Sequence, residues 1–315
     1  MHRAWIVGGT AAALLGAATI GAARAAVARI ERNPDPLPYG RLAREPQGEE
    51  VIITRPDGTS LRAIVAGHGP PVVLAHGYGA SLLEWNVVWD ALLARGHRVI
   101  AFDQRGHERS TLGSAGTGSK PMAADYAAVL EHFDVRDGVL VGHSMGGFIA
   151  IRAVLDHPEL ARRLRGLVLF ATWAGRILDQ APQNRLQIPL LETGILQRLA
   201  RTRAGGVLFG AAQCGTRPSP AMISVFRDVF VRQSHRPLIP IVRFRREDRY
   251  PRLSEITVPT VVVVGSADRS TPPSHSHRLA AGVPGARLVT VPDAGHLLNW
   301  EAPDVLVEVI ASLQQ

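Results

Sequence analysis

Apolar and polar residues follow two different periods along residues 51–312. Short apolar runs, rich in β-branched residues and closed by glycine or polar residues, are typical of buried strands. Between them, apolar residues recur at helical spacing, as in residues 82–95, where one face is apolar. Strand and helix alternate, which predicts an α/β fold built on a mostly parallel, doubly wound sheet. The predicted strands are 51–54, 61–66, 72–75, 98–102, 138–141, 167–170, 261–264 and 288–291.

The alternation stops between residues 170 and 259. Residues 173–252 contain apolar patches with helical spacing at 188–199 and 222–231, interrupted by prolines, and no clear strand. An insertion at this point would lie over the carboxyl edge of the sheet as a helical cap. Several of its apolar side chains either line an acyl pocket or form the cap's own core, and we favour the core for most of them. They are Trp173, Leu190, Leu191, Phe209 and Phe226.

The stretch VGHSMGGF, residues 141–148, joins a predicted strand to a predicted helix, with Ser144 between Gly142 and Gly146. A turn this tight strains its central residue and brings helix and strand together, which residues without a Cβ permit. The N–H of Met145 and the start of the helix would then face the serine hydroxyl, a place suited to developing negative charge. The G-x-S-x-G pattern is typical of a nucleophilic serine, although a structural Gly-Ser turn shares it.

A nucleophilic serine requires a base, and the base requires an orienting carboxylate. Asp268 and His296 each follow an apolar run, so each is expected at the carboxyl end of a strand, where open parallel sheets bind their ligands. The alternatives are weaker. Asp293 is more typical of a turn. His143 precedes the serine on the strand, so its side chain is expected to point to the other face. His76 belongs to a loop whose backbone is expected to supply an oxyanion donor.

That loop is HGYGAS, residues 76–81, which follows a predicted strand. Gly77 and Gly79 leave the backbone free to aim the N–H of Tyr78 inward. Together with the N–H of Met145, it would supply two donors to the oxyanion of a tetrahedral acyl intermediate. The chemistry expected at this edge of the sheet is therefore acyl transfer.

Five segments of the chain resemble the α/β-hydrolase fold family, in the family's order and over residues 50–312. They are HGYG at 76, DQRGHERS at 103, GHSMGG at 142, SADRSTPP at 266 and AGHLLNWEAPD at 294. The resemblance implies an α/β-hydrolase fold with a helical cap and the following roles: Ser144 as nucleophile, Asp268 as acid, His296 as general base, and Tyr78 and Met145 as oxyanion donors. The chain departs from the family at Glu108, where the second glycine of an R-G-H-G-x-S loop usually stands.

A serine nucleophile with two oxyanion donors predicts a carboxylic ester hydrolase of the esterase or lipase type, acting on a small-molecule or lipid ester and needing no cofactor. We expect His143 and Trp173 to contact the substrate. The dehalogenases and epoxide hydrolases that the chain resembles carry aspartate as nucleophile, so Ser144 argues against them. Three alternatives stay open: a cofactor-free perhydrolase or haloperoxidase, a carbon–carbon bond hydrolase whose cap binds a carboxylate, and a non-catalytic or slow-turnover ligand receptor on the same fold.

The formal net charge is +8, carried almost entirely by arginine, with Lys120 as the only lysine. The arginines are spread among acidic residues and accompany no nucleic-acid motif, so no nucleic-acid partner is expected. A single cysteine, Cys214, excludes an internal disulfide. His275 and His277 lack a third ligand at a recognisable spacing, and no metal site is expected.

The N-terminal segment 4–23 carries no charge and is long enough to span a bilayer. It is also rich in alanine and glycine, and Ala23-Arg24-Ala25 is a small-x-small sequence typical of signal cleavage. We therefore expect a membrane anchor or a signal segment, and a membrane-associated or secreted protein. The proline-rich stretch NPDPLPYG predicts a stiff spacer. The predicted divisions are 1–32 for the anchor or signal, 33–48 for the spacer, 49–172 and 253–315 for the α/β core, and 173–252 for the cap.

Overall fold

The computed structural model describes residues 21–177 and 183–314, and an eight-stranded sheet forms its centre. The strands are β1 (Glu49–Thr54), β2 (Ser60–Ala66), β3 (Pro71–Ala75), β4 (Arg98–Phe102), β5 (Gly138–His143), β6 (Leu164–Phe170), β7 (Thr260–Gly265) and β8 (Arg287–Val291). Their order across the sheet is β1-β2-β4-β3-β5-β6-β7-β8. β2 runs antiparallel to both of its neighbours, and all other neighbouring strands are parallel.

Helices cover both faces of the sheet. Because side chains alternate across a pleated strand, Val73 of β3 packs into one core with Phe148, whereas Val72 packs into a second core with Trp85 and Trp89. Burial on both faces explains why the central strands read as continuous apolar runs. From Tyr39 onward, the helices are α1 (Tyr39–Leu42), α2 (Asn86–Ala94), α3 (Ser119–His132), α4 (Met145–Asp156), α5 (Pro158–Ala161), α6 (Gln183–Glu192), α7 (Ile195–Arg201), α8 (Arg203–Ala211), α9 (Pro220–Arg232), α10 (His235–Leu238), α11 (Pro273–Gly282), α12 (Leu298–Glu301) and α13 (Pro303–Gln314), with 3₁₀ turns at Leu82–Trp85, Pro240–Arg246 and Tyr250–Glu255.

The predicted strands all lie within observed strands, and the predicted α/β-hydrolase fold is confirmed. The predicted helix 82–95 begins as a 3₁₀ turn, where the Ser81 hydroxyl caps the N–H of Leu83 at 3.3 Å, and then continues as α2. β3, β5, β6, β7 and β8 run in the same direction, so the loops that follow them meet at one edge of the sheet.

The residues between β6 and β7 form a helical layer, α6 to α10, at the position predicted for the cap. The apolar patch 188–199 is divided between α6 and α7, because Gly194 adopts a left-handed φ of 71° between them. The patch 222–231 lies within α9. A single bridge between Gly175 and Asp248 joins the two ends of the insertion in the part of it that the structure describes.

The predicted anchor or signal segment lies mostly outside the described residues, which begin at 21. Residues 21–30 are helical. Within residues 21–177 and 183–314, no helix has both the length and the apolar character needed to cross a bilayer.

Residues 33–48, predicted as a stiff spacer, bond to the cap through two side chains in particular. The carboxylate of Asp35 accepts a hydrogen bond of 2.5 Å from Ser219 at the start of α9, and the Tyr39 hydroxyl donates to Asp228 in the same helix over 2.9 Å. A proline-rich chain is extended and keeps its side chains free, so it can bind along a surface as readily as it can bridge a gap. Here residues 33–48 lie along the surface of the cap.

Candidate active site

Ser144 occupies the sharp turn between β5 and α4, with φ 53° and ψ −118°. This conformation is rare for a residue with a Cβ, and it persists because the surrounding backbone is closely packed. A Cβ on Gly146 would lie 2.3 Å from the carbonyl oxygen of Ala75, and one on Gly142 would lie 2.6 Å from the Cα of Gly147. Only glycine fits at both positions that flank the serine.

Ser144, His296 and Asp268 form a continuous series of hydrogen bonds. The Nε2 atom of His296 is 2.9 Å from the Ser144 hydroxyl oxygen, and its Nδ1 atom is 2.9 Å from a carboxylate oxygen of Asp268. All three side chains are buried. Because the carboxylate is an acceptor, Nδ1 carries the ring proton and Nε2 is free to take the proton of the serine. Three side chains singled out from the sequence thus lie together at the carboxyl edge of the sheet.

The carboxylate of Asp268 is held by its own loop as well as by His296. It accepts hydrogen bonds from the N–H groups of Ser270 and Thr271, at 2.8 and 2.9 Å, and from the Thr271 hydroxyl at 2.7 Å. Burial alone raises the pKa of Asp268, but the charge and hydrogen bond of His296, together with the Thr271 donors, bring it below its ordinary value. The carboxylate is therefore ionised and oriented. Sequence reasoning missed Thr271, although a hydroxyl three residues after an aspartate is a recurrent loop-bonding pattern.

The main-chain N–H groups of Tyr78 and Met145 belong to residues that border the same cavity as Ser144. Met145 is the first residue of α4, so its N–H has no acceptor within the helix. Neither N–H donates to an acceptor among the described residues. Two backbone donors near the serine are therefore free to bind a ligand.

The loop that carries His296 is fixed on both sides of that residue. The N–H of His296 donates to the carbonyl oxygen of Gln213 over 2.7 Å, and the carbonyl oxygen of His296 is 3.0 Å from Nε2 of His143. Gln213 lies in the cap between α8 and α9, so core and cap both position the ring. No local pattern in the sequence points to Gln213, because its partner is far away along the chain.

His143 and Trp173, the expected substrate-binding residues, both border the cavity. The expectation that His143 points to the other face is therefore wrong, since its ring lies beside that of His296 with centroids 4.8 Å apart. Trp173 stacks on Phe148 with ring centroids 5.1 Å apart. The ring nitrogens of His143 are both occupied by protein groups, since Nδ1 is 3.2 Å from the carboxylate of Glu84 and Nε2 faces the His296 carbonyl. Sequence reasoning did not identify Glu84.

A cavity of about 180 Å³ extends from Ser144 beneath the cap. Its wall is mainly apolar, and no arginine or lysine lines it in the described part of the chain. From the sequence, we favoured the cap's own core for most of five apolar side chains. Four of the five instead contribute to this wall: Trp173, Leu191, Phe209 and Phe226. The fifth, Leu190, does not.

The other residues considered from the sequence lie in different surroundings. Asp293 is exposed, with a positive φ of 61°, and His76 is fully buried with its ring nitrogens bonded to backbone groups. The Tyr250 hydroxyl is 2.7 Å from Nδ1 of His275. Burial raises the pKa of the Cys214 thiol to about 12. Across residues 21–177 and 183–314, no three His, Cys, Asp or Glu side chains converge in a way that could hold a metal ion.

The sheet, the strained serine turn and the cap define an α/β hydrolase. The profile described as "Alpha/beta hydrolase family" matches residues 72–309, and the chain belongs to that family. The non-heme haloperoxidase of Rhodococcus erythropolis is 31% identical over 255 residues, which cover 78% of this chain and 92% of that protein.

Two solved structures have the same architecture. The esterase EaEST from Exiguobacterium antarcticum matches with a TM-score of 0.74 at 25% identity, covering 85% of this chain and 99% of its own. The bromoperoxidase from Bacillus anthracis has the same TM-score at 21% identity, covering 84% and 99%, and supports the fold alone.

Proposed function

We propose that this protein is a serine hydrolase that cleaves carboxylic esters with an apolar acyl group. The observation that carries the proposal is the series Ser144–His296–Asp268, with contacts of 2.9 Å on both sides of the imidazole. Beside it lie the free N–H groups of Tyr78 and Met145. Nucleophile, base, orienting acid and oxyanion donors are the parts that acyl transfer requires.

In the acylation step, His296 accepts the hydroxyl proton as the Ser144 oxygen forms a bond to the ester carbonyl carbon. The electron pair of the carbonyl bond moves to its oxygen, where the N–H groups of Tyr78 and Met145 stabilise the negative charge. Asp268 stabilises the imidazolium that forms. When the carbonyl reforms, the carbon–oxygen bond to the alcohol breaks, and His296 returns its proton to the departing alkoxide.

In the deacylation step, water replaces the alcohol. His296 takes a proton from the water as its oxygen bonds to the acyl carbon, and the same N–H donors bind the second oxyanion. Collapse breaks the bond to the Ser144 oxygen, which recovers its proton from the imidazolium. The products are the carboxylic acid and the free enzyme.

The cavity supports a short or medium apolar acyl group. Its volume of about 180 Å³ is below the roughly 300–1,000 Å³ of pockets that hold drug-sized ligands. A carbon–carbon bond hydrolase acting on a carboxylated substrate would need cationic groups in the cap, and none lines the cavity in the described residues.

The haloperoxidase relative favours a second candidate activity on the same site. Hydrogen peroxide would take the place of water in deacylation, so that its oxygen bonds to the acyl carbon while His296 accepts the proton. The bond to Ser144 then breaks and a peracid leaves. No redox step at the protein is required, because the peroxide supplies the oxygen–oxygen bond.

The test is a series of p-nitrophenyl esters of increasing acyl length, assayed with the wild type and with Ser144→Ala. We expect multiple turnovers by the wild type and a loss of about 10⁴-fold or more in kcat/KM for Ser144→Ala. Ser312→Ala, on the exposed side of α13, is the matched control and should equal the wild type. Peracid formation from acetate and hydrogen peroxide, with little ester turnover, would favour the perhydrolase. A single stoichiometric turnover would instead favour a ligand receptor.

A further inference from the structure

A second buried acid–base pair lies beside the candidate triad, and the proposed mechanism does not use it. The Nδ1 atom of His143 is 3.2 Å from each carboxylate oxygen of Glu84. Their side chains are only 3% and 7% exposed. The ring of His143 is next to that of His296, with centroids 4.8 Å apart. A buried ionisable pair so close to a base bears on the chemistry of that base.

The acceptors around His143 determine where its protons are. Its Nε2 atom faces the carbonyl oxygen of His296 at 3.0 Å, and a carbonyl only accepts, so Nε2 carries a proton. With Glu84 as a carboxylate, which also only accepts, Nδ1 would carry a second proton and the ring would be an imidazolium. Burial alone lowers the pKa of His143, but the charge and hydrogen bond of Glu84 and the His296 carbonyl raise it above its ordinary value.

Few charged groups face this ring. Glu84 faces it from the 3₁₀ turn, His296 and Asp268 from the loops after β8 and β7, and His76 from the loop after β3. Within the described residues, Glu84 is the carboxylate that bonds directly to His143. A positive charge on His143 would thus be compensated by Glu84 before His296 acquires its own in the proposed acylation step.

The same carboxylate holds the loop of the oxyanion donors. Glu84 accepts the N–H of Gly77 at 3.2 Å, and Gly77 immediately precedes Tyr78. Gly77 also packs against the nucleophile, since a Cβ on it would lie 3.3 Å from the Cβ of Ser144. One pair of side chains therefore contacts the oxyanion loop, the strand end before the nucleophile, and the loop of the base.

We propose that Glu84 and His143 form a charged pair that positions His296 and the Tyr78 loop relative to Ser144. The imidazolium donates at both nitrogens at once, to Glu84 and to the His296 backbone, and Glu84 joins this unit to the Gly77 N–H. Both are positioning residues, because neither bonds to the reacting atoms. The inference rests on the proposed ester hydrolysis, but its claim about the protons of His143 is tested without a substrate.

The first experiment is ¹⁵N NMR of the histidine rings of the full chain at pH 7. The His143 signals are assigned by their loss in His143→Gln. We expect protons on both ring nitrogens in the wild type and on one nitrogen in Glu84→Gln, because an amide cannot hold the imidazolium. A wild-type His143 ring with a single proton would overturn the charged pair.

The second experiment compares ester kinetics of two substitutions of Glu84. Glu84→Leu removes both contacts, and we expect kcat to fall about 10-fold to 100-fold while KM changes less than about threefold, as small misplacements of catalytic groups do. Glu84→Gln retains an acceptor for Gly77 and offers a donor to a neutral His143, so it should recover kcat to within about fivefold of the wild type. Glu50→Gln, which removes the negative charge that pairs with the buried Arg62, is the control and should leave kcat unchanged.

Failure of the positioning role can be distinguished from failure of the proposed ester hydrolysis. If the wild type cleaves esters and Glu84→Leu has an unchanged kcat, the positioning role is wrong. If the wild type cleaves no ester but its Ser144 reacts with a fluorophosphonate, only the ester substrate is wrong, and slower labelling of Glu84→Leu still supports positioning. Thermal unfolding of each variant shows whether it folds. If Glu84→Leu does not fold, the NMR result still tests the charged pair, and ester kinetics of His143→Leu test the positioning role: kcat should fall about 10-fold to 100-fold with little change in KM, and an unchanged kcat would overturn it.

Discussion

The main-chain N–H of His296 donates to the carbonyl oxygen of Gln213 over 2.7 Å, so a residue of the cap fixes the candidate base of the core. The side chain of Gln213 strengthens the link, because its amide oxygen accepts the hydroxyl of Ser270 at 2.6 Å, in the loop of Asp268. A cap that moved away from the sheet would lose both contacts. Cap position and alignment of the base are therefore linked in this fold.

Gly295→Ala tests that link. A Cβ at this position would lie 2.3 Å from the carbonyl carbon of Cys214, so the cap loop and the loop of His296 must separate. We expect kcat for ester hydrolysis to fall about 100-fold, with KM much less affected. Gly40→Ala is the control, because no atom lies within 4 Å of the added Cβ. A Gly295→Ala enzyme with the kcat of the wild type would show that the base does not depend on the cap.

Asp268→Asn is expected to lower kcat about 10⁴-fold, because an amide can donate to Nδ1 of His296 and favour the tautomer that leaves Nε2 protonated. The measurement is steady-state hydrolysis of a p-nitrophenyl ester. Asp293→Asn is the matched control, since Asp293 is exposed, lies in the same region of the chain and tolerates asparagine at its positive φ. If Asp293→Asn were the more damaging substitution, the acid would be misassigned.

The residues of the candidate triad could be predicted from the sequence because each of them lies in a recognisable local pattern. Ser144 lies between glycines, and Asp268 and His296 each follow an apolar strand, so the parallel direction of the strands is enough to bring them to one edge. The strands themselves were predictable for the same reason. Burial on both faces leaves continuous apolar runs.

The supporting contacts could not be predicted, because they join residues far apart along the chain. Glu108 is an example. It stands where the family usually has glycine, and it retains a positive φ of 43°. Its N–H donates to the side-chain oxygen of Gln233 over 2.8 Å, and its carboxylate accepts from the amide nitrogen of the same residue over 2.9 Å. The loop is thereby bonded to the cap, which no pattern near residue 108 indicates.

Phe230→Ala is expected to shift the preference of the enzyme toward longer acyl chains. Phe230 packs against Phe209 with ring centroids 4.9 Å apart, and both line the cavity beneath the cap. Removing the ring enlarges the cavity and costs about 3–5 kcal/mol of stability. The measurement is kcat/KM along the ester series.

Phe133→Ala is the control that separates the two effects of Phe230→Ala, namely a larger cavity and a lower stability. Phe133 is buried in the core of the sheet and does not border the cavity. Its loss should destabilise the protein comparably and leave the acyl preference unchanged. The same shift in both variants would mean that loosening of the fold, and not cavity size, sets the preference.

The free energy of unfolding should fall as the pH is lowered from about 6.5 to about 4, and His107 should account for part of this change. Burial lowers the pKa of His107 to about 4 and brings that of the neighbouring His76 well below its ordinary value. Below pH 6.5 the unfolded chain therefore binds protons that the folded chain does not, and each such proton favours unfolding. For His107 the loss approaches about 3 kcal/mol at the acid end.

His107→Gln removes this contribution while keeping a donor for the carbonyl oxygen of Arg105, which lies 3.2 Å from Nδ1 of His107. Urea unfolding at pH 7, 6, 5 and 4.5 should give a shallower pH dependence for the variant than for the wild type, by up to about 1.4 kcal/mol per pH unit. Parallel curves for the wild type and His107→Gln would mean that His107 is not held neutral by burial.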